Sequence, residues 1–113
     1  MKITYFNTRE AKIMKAILIR PESQSIEPVE VNDKDEIIRL IGFDTVIGDD
    51  IGSSGDKLYF DEECFLRGTE GRFQIDKLIP VSGIGIVIGS DDGETLSDVN
   101  TDIDEIRART KFL

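Results

Sequence analysis

The most apolar stretch of the chain is residues 81–90, VSGIGIVIGS, where Ile84, Ile86, Val87 and Ile88 are interrupted mainly by glycine. A run of this kind, opened by Pro80, predicts a buried central strand. Its glycines at 83, 85 and 89 mark places where other backbone comes close. A second apolar run, KAILIR at 15–20, is stopped by Pro21 and predicts another strand. Residues 21–28 read as a loop, and 28–31 as a short alternating strand with Val29 and Val31 on one face. KITYFN at 2–7 alternates weakly and fits a short strand.

The period then changes. Ile37, Ile38, Leu40 and Ile41 fall at helical spacing, Asp33 and Glu36 form a capping-box pattern, and Gly42 follows as a left-handed stop. A helix over about 33–41 is the result, too short to hold without packing on a sheet. Residues 43–48 read as a strand and DDIGSSGD, 49–56, as a polar glycine-rich loop. Leu58–Phe60 enters the acidic turn Asp61-Glu62-Glu63, with Cys64–Arg67 as the return strand of a hairpin. Asp91-Asp92-Gly93 is a tight turn. Leu96, Val99, Ile103 and Ile106 then form one apolar stripe, predicting a C-terminal helix over about 98–109. Its cap is either Ser97, for a longer helix, or Thr101 with Asp104, for a shorter one. Arg107, Arg109 and Lys111 suit its carboxyl end.

These elements define an α+β fold, a mostly antiparallel or mixed sheet with one short helix and one C-terminal helix. The 113 residues make a single domain by length. Met14 followed by Lys15 resembles a second translation start, so residues 1–13 are read either as an N-terminal arm or as an extended start. With 39% hydrophobic and 33% charged residues the composition is globular. No run reaches the ~18 apolar residues of a membrane span, and charge interrupts the first twenty residues too often for a secretory signal. The lone Cys64 excludes an internal disulfide and points to a cytoplasmic setting.

The charge alters the functional picture. Of the net −9, residues 1–20 contribute +4 and the remainder −13. Such a body repels phosphate backbones, which disfavours direct nucleic-acid binding, and suits a basic protein partner or mimicry of nucleic acid. Histidine is absent, which removes Ser-His and Cys-His nucleophiles and the usual zinc sites. This is the strongest argument in the sequence against an enzyme.

The candidate chemistry is modest. The glycine spacing around Gly85 is not the dinucleotide fingerprint. Residues 98–105, DVNTDIDE, resemble the front of a calcium loop, but Ile103 stands where glycine is required and Arg109 where the closing glutamate belongs. Asp49, Asp50 and Asp56 flank the glycine-rich loop and could hold a hard cation weakly, a solvated loop being the plainer reading. Asp61, Glu62 and Glu63 are the sharpest acidic cluster, with Arg67 within reach of an ion pair of little worth if exposed. Cys64, among Phe60, Phe65 and Leu66, reads as a buried thiol. No cofactor, resident metal or catalytic residue is implied. The binding candidates are Asp49, Asp50, Asp56, Asp61, Glu62, Glu63 and Arg67.

The segments KAILIRP, EIIRLIG, LYFDEECFLRG and PVSGIGIVIG together resemble a family of small uncharacterised domains found in phages, plasmids and bacterial genomes. The likeness covers about residues 15–90 and departs at Cys64, where glycine is usual, and in the charged tail. It implies an α+β sheet with one or two helices and a mobile-element setting in which small acidic proteins bind host machinery. It implies no catalytic residues. The first expectation is therefore an acidic binding protein acting on a protein partner. The alternative is a small-molecule-binding domain with the loop 49–56 as part of its mouth, and a metal-dependent enzyme ranks last. An exposed final strand would allow edge pairing into a dimer.

Overall fold

The computed structural model describes residues 13–90 and 95–113. The reading of 2–7 as a strand and of 91–93 as a turn lies outside these residues. The fold is α+β. The main sheet runs β2-β1-β7-β4-β3, built from β1 (Met14–Arg20), β2 (Ser25–Val31), β3 (Val46–Asp50), β4 (Asp56–Asp61) and β7 (Gly85–Ser90), with β8 (Leu96–Ser97) paired to the end of β7. A small second sheet has the order β6-β5-β9, from β5 (Arg72–Ile75), β6 (Val81–Ser82) and β9 (Thr110–Phe112). Every pairing among the described strands is antiparallel. The helices are α1 (Lys34–Ile41) and α2 (Ile103–Arg109).

The uninterrupted apolar runs have a simple cause: the main sheet is covered on both faces. Met14, Ala16 and Leu18 of β1, Tyr59 of β4, and Ile86 and Ile88 of β7 pack with Ile37 and Ile41 of α1. The alternate residues Ile17, Ile19, Leu58, Phe60 and Val87 pack on the other side with Phe73, Ile75 and Val81 of the small sheet and Ile106 of α2. A two-residue period lets each strand serve both layers. β7 is the middle strand, as expected. Its Gly85 is required because a Cβ there would lie 2.5 Å from the Phe73 ring, so this residue lets the small sheet close on the large one. Gly83, at φ 88°, breaks the run into β6 and β7.

Helix α1 forms as its sequence predicts. The Asp33 side chain accepts from Glu36 N–H at 2.9 Å, the Glu36 carboxylate accepts from Asn32 N–H at 2.7 Å, and Gly42 ends the helix at φ 94°. Elsewhere the boundaries shift. β2 begins at Ser25, so the loop predicted over 21–28 is only the tight turn 21–24. The hairpin joins β3 to β4 around residues 51–55, and the predicted return strand Cys64–Arg67 is instead a 3-10 turn over Cys64–Leu66. The C-terminal helix begins at Ile103 with Asp102 as its cap, and neither Ser97 nor Thr101 caps it. The chain after it, Thr110–Phe112, adds a strand to β5. Among the described residues no helix is long and apolar enough to cross a membrane.

The late helix start has a physical reason. Residues 98–101 lie extended beside the sheet: the Asp98 carboxylate accepts from Lys15 N–H at 2.8 Å, and Val99 N–H donates to the Lys15 carbonyl at 2.8 Å. The Asp56 carboxylate, only 1% exposed, then accepts from the backbone of Asn100 at 2.8 Å and of Thr101 at 2.9 Å, from the Asn100 amide at 3.2 Å and from the Thr101 hydroxyl at 2.5 Å. A buried carboxylate with four donors is stable, whereas without it the backbone N–H groups of Asn100 and Thr101 would lose their acceptor, the two side chains keeping Ser54. Asp56→Ala is expected to lower stability in chemical denaturation by about 3 kcal/mol, and Asp56→Asn, which keeps one acceptor oxygen, by less. An Asp56→Ala protein as stable as the parent would remove this carboxylate from its structural role.

Candidate functional site

The two edges of the main sheet differ. On β2, the backbone groups that face away from β1 belong to Ile26, Pro28 and Glu30, because Lys15, opposite Glu30, turns its own N–H and carbonyl to residues 98 and 99. Pro28 has no N–H to offer, and the Ile26 carbonyl is taken by the Arg107 guanidinium at 3.0 Å. This edge is blunted. On β3 the ladder to β4 is bounded by Glu62 N–H donating to the Thr45 carbonyl at 2.7 Å and Ile51 N–H donating to the Asp56 carbonyl at 3.2 Å. Alternation in an antiparallel pair then turns Ile47 and Asp49 toward β4, and Val46, Gly48 and Asp50 outward. Among the described residues no strand pairs with that outer side, so three N–H and three carbonyl groups stand open.

The flanking side chains are acidic. From Asp44 to Arg67 the chain carries seven carboxylates against two cations, Lys57 and Arg67. Asp49 is exposed, and Asp50, 77% exposed, lies 3.3 Å from the Lys57 ammonium. Such an open pair is worth only a few tenths of a kcal/mol to about 1 kcal/mol. Gly48 precedes both aspartates on β3 with the Tyr59 ring against it; a Cβ there would come within 2.7 Å of that ring. Burial pushes the Tyr59 phenol above its ordinary pKa, partly offset by Lys57.

Asp61 ends β4 and anchors the acidic turn. It is 3% exposed; its carboxylate accepts from the Arg67 guanidinium at 2.9 Å, from Glu63 N–H at 3.0 Å and from the Thr45 hydroxyl. Burial raises its pKa, but the Arg67, Thr45 and Glu63 hydrogen bonds outweigh that effect and hold it below the usual carboxylate value. Arg67 also donates to Thr45 at 2.9 Å, approaches Glu63 at 3.5 Å and stacks 4.5 Å over the Phe43 ring. The ion pair anticipated from sequence, of little worth if exposed, joins a buried carboxylate to an organised guanidinium.

Of the seven residues singled out from sequence, Asp49 and Asp50 lie at the loop end of the β3–β4 hairpin, while Asp61, Glu62, Glu63 and Arg67 lie at its other end and on the turn that follows. Asp56 does not join them. It lies at the buried start of β4, committed to Asn100 and Thr101, so the three carboxylates of the loop 49–56 do not converge. Among the described residues no group of three or more His, Cys, Asp or Glu is placed to hold a metal ion. Cys64 is buried, and its sulfur accepts from Ser82 N–H. Phe65 and Leu66, read as strand residues beside it, are 51% and 80% exposed on the 3-10 turn. Sequence reasoning missed this, along with Thr45, because a three-residue turn and a strand look alike in so short an apolar segment. Arg72 stacks 5.2 Å from the Phe65 ring.

Two concavities also mark the surface of the described residues. A groove of about 540 Å³ lies between β1, β2 and the start of α2, walled by Ala16, Ile17, Pro28, Val29, Val99 and Ile103, with Lys15, Glu30 and Thr101 also lining it. A smaller hollow of about 180 Å³ touches Phe43, Asp61, Thr69 and Ser82. Comparison of the chain with family models, with curated proteins and with solved structures gives no match. Residue roles therefore come from the geometry alone.

The Asp61 arrangement makes a pH prediction. A folded-state pKa below the ordinary 3.8 adds stability that is fully present above that value and is lost as the pH falls through the lower folded value. Asp61→Asn is expected to cost roughly 2 kcal/mol near neutral pH and to flatten the loss of stability on acidification below 3.8. Urea titrations at a series of acidic pH values read both effects. An unchanged acid limb would show that the Arg67–Asp61 contact is not the source.

Proposed function

We propose that this protein is a non-enzymatic binding protein that engages a basic surface of a protein partner through the acidic side of its β3–β4 hairpin. The observation that supports this reading is the imbalance there: Asp49, Asp50 and Glu62 are exposed, while the nearby cations Lys57 and Arg67 are already paired with Asp50, Asp61 and Glu63. A field of one sign steers an oppositely charged partner and repels nucleic-acid phosphates. Exposed Phe65 and Leu66, next to Glu62 and Glu63, supply apolar contact area of the kind that anchors an interface. The mobile-element or bacterial setting suggested by the family resemblance fits a protein that acts by occupying another.

The test is capture from host lysate by tagged protein at low and high salt, alongside the triple variant Asp49→Lys, Asp50→Lys, Glu62→Lys. A basic protein held at low salt, released at high salt and not captured by the variant is the expected result. Capture indifferent to both salt and charge reversal would overturn the acidic-face reading.

A second reading, a site for a small apolar ligand, rests on the groove between β1, β2 and α2. Its volume of about 540 Å³ is in the range of ligand sites. It replaces the loop 49–56 as the place for such a ligand, because Ile51 and Asp56 are buried within that hairpin. A panel of small aliphatic and aromatic compounds should raise Tm for the parent and not for Val99→Phe, which fills the groove; no shift with any compound would remove this reading.

A further inference from the structure

We infer that the partner is bound by strand addition: an extended basic segment of another protein pairs with β3 and becomes the outermost strand of the main sheet. The inference rests on the acidic-face reading and names its mode. The open main-chain groups of Val46, Gly48 and Asp50 carry it, since they form a ready template for one more strand. The opposite edge is a poorer template, since Pro28 has no donor and the Ile26 carbonyl is bound to Arg107.

The side chains select the occupant. Along β3, Asp50 shares a face with Val46 and Gly48, while Asp49 shares the other face with Ile47. An added strand meets carboxylates at one end, on both faces, and apolar side chains at the other. Between them the bare Gly48 leaves the Tyr59 ring beside the incoming backbone. An antiparallel segment of two basic residues followed by β-branched ones satisfies this pattern, the cations facing Asp50 and Asp49 and the apolar residues facing Ile47 and Val46. A second copy of this chain does not. Antiparallel self-pairing about Gly48 would set Asp50 against the other copy's Val46 and Asp49 against its Ile47. The carboxylates would be partly desolvated without a cation, on two surfaces of like charge.

The probe is a short blocked peptide of two lysines, a threonine and two valines, compared with the same peptide carrying glutamate for lysine and with one N-methylated at alternate amides. Binding is followed by amide hydrogen exchange and by titration at low and high salt. The expected result is salt-sensitive binding of the lysine peptide only. It should slow exchange at the amides of Val46, Gly48 and Asp50 by roughly tenfold or more. N-methylation and the variant Val46→Pro, which removes one outward N–H without touching the ladder to β4, should each weaken binding by about tenfold, against a Val46→Thr control. Salt-sensitive binding that leaves those amides unprotected and ignores Val46→Pro overturns strand addition and leaves the acidic face standing. No binding of the lysine peptide at low salt overturns both. Concentration-dependent protection of the same amides without peptide makes a second copy the occupant and overturns the basic segment.

Discussion

The buried carboxylate of Asp56 is the interaction on which the arrangement of the sheet depends. It holds Asn100 and Thr101, and so fixes the extended segment that pairs with Lys15. That segment delays the final helix to Ile103 and sets its direction, so that Ile106 enters the core and Arg107 reaches the Ile26 carbonyl. Part of the blunting of β2, the cover on the Ile26 carbonyl, thus depends on an aspartate three strands away in the same sheet, and Pro28 supplies the rest. Among the described residues β3 receives no comparable cover, and its outer edge lies in the acidic part of the chain.

What was legible in the sequence was local. Helix α1 is written in its capping box and terminal glycine, and β1 and β7 are written in their apolar runs, because these signals lie within a few residues of what they specify. The α+β class follows from the same periods. The misread parts depend on partners far away in sequence. The stripe Leu96, Val99, Ile103, Ile106 has helical spacing, yet its first half is held extended by Lys15 and Asp56, which lie 83 and about 44 residues away. No local period encodes that competition, and the tertiary hydrogen bonds override it.

The candidate site shows the same division. The acids of the β3–β4 region could be picked out by composition, and they divide into Asp49 and Asp50 at the loop end of the hairpin and Asp61, Glu62 and Glu63 at the other. That Asp56 belongs to the scaffold was not readable, since a carboxylate beside glycines and serines looks solvated until its donors from the C-terminal part of the chain are known. The burial of Asp61 was hidden for the same reason. Its ionic partner lies six residues away, but the Thr45 hydroxyl comes from the segment that leads into β3, sixteen residues before it. Two aspartates near one another in sequence thus serve as internal fasteners, while Asp49 and Asp50 face solvent.

Cys64 has a consequence of a kinetic sort. It is the single thiol of the chain, buried where the 3-10 turn meets β6, with Ser82 N–H directed at its sulfur. A thiol reagent can reach it only when the turn separates from the small sheet. Its rate of modification therefore measures how often that junction opens, at one defined position and without any introduced label. Because the turn also carries Phe65 and Leu66 and leads into Arg67, that rate reports on how rigidly these exposed side chains are held against the small sheet.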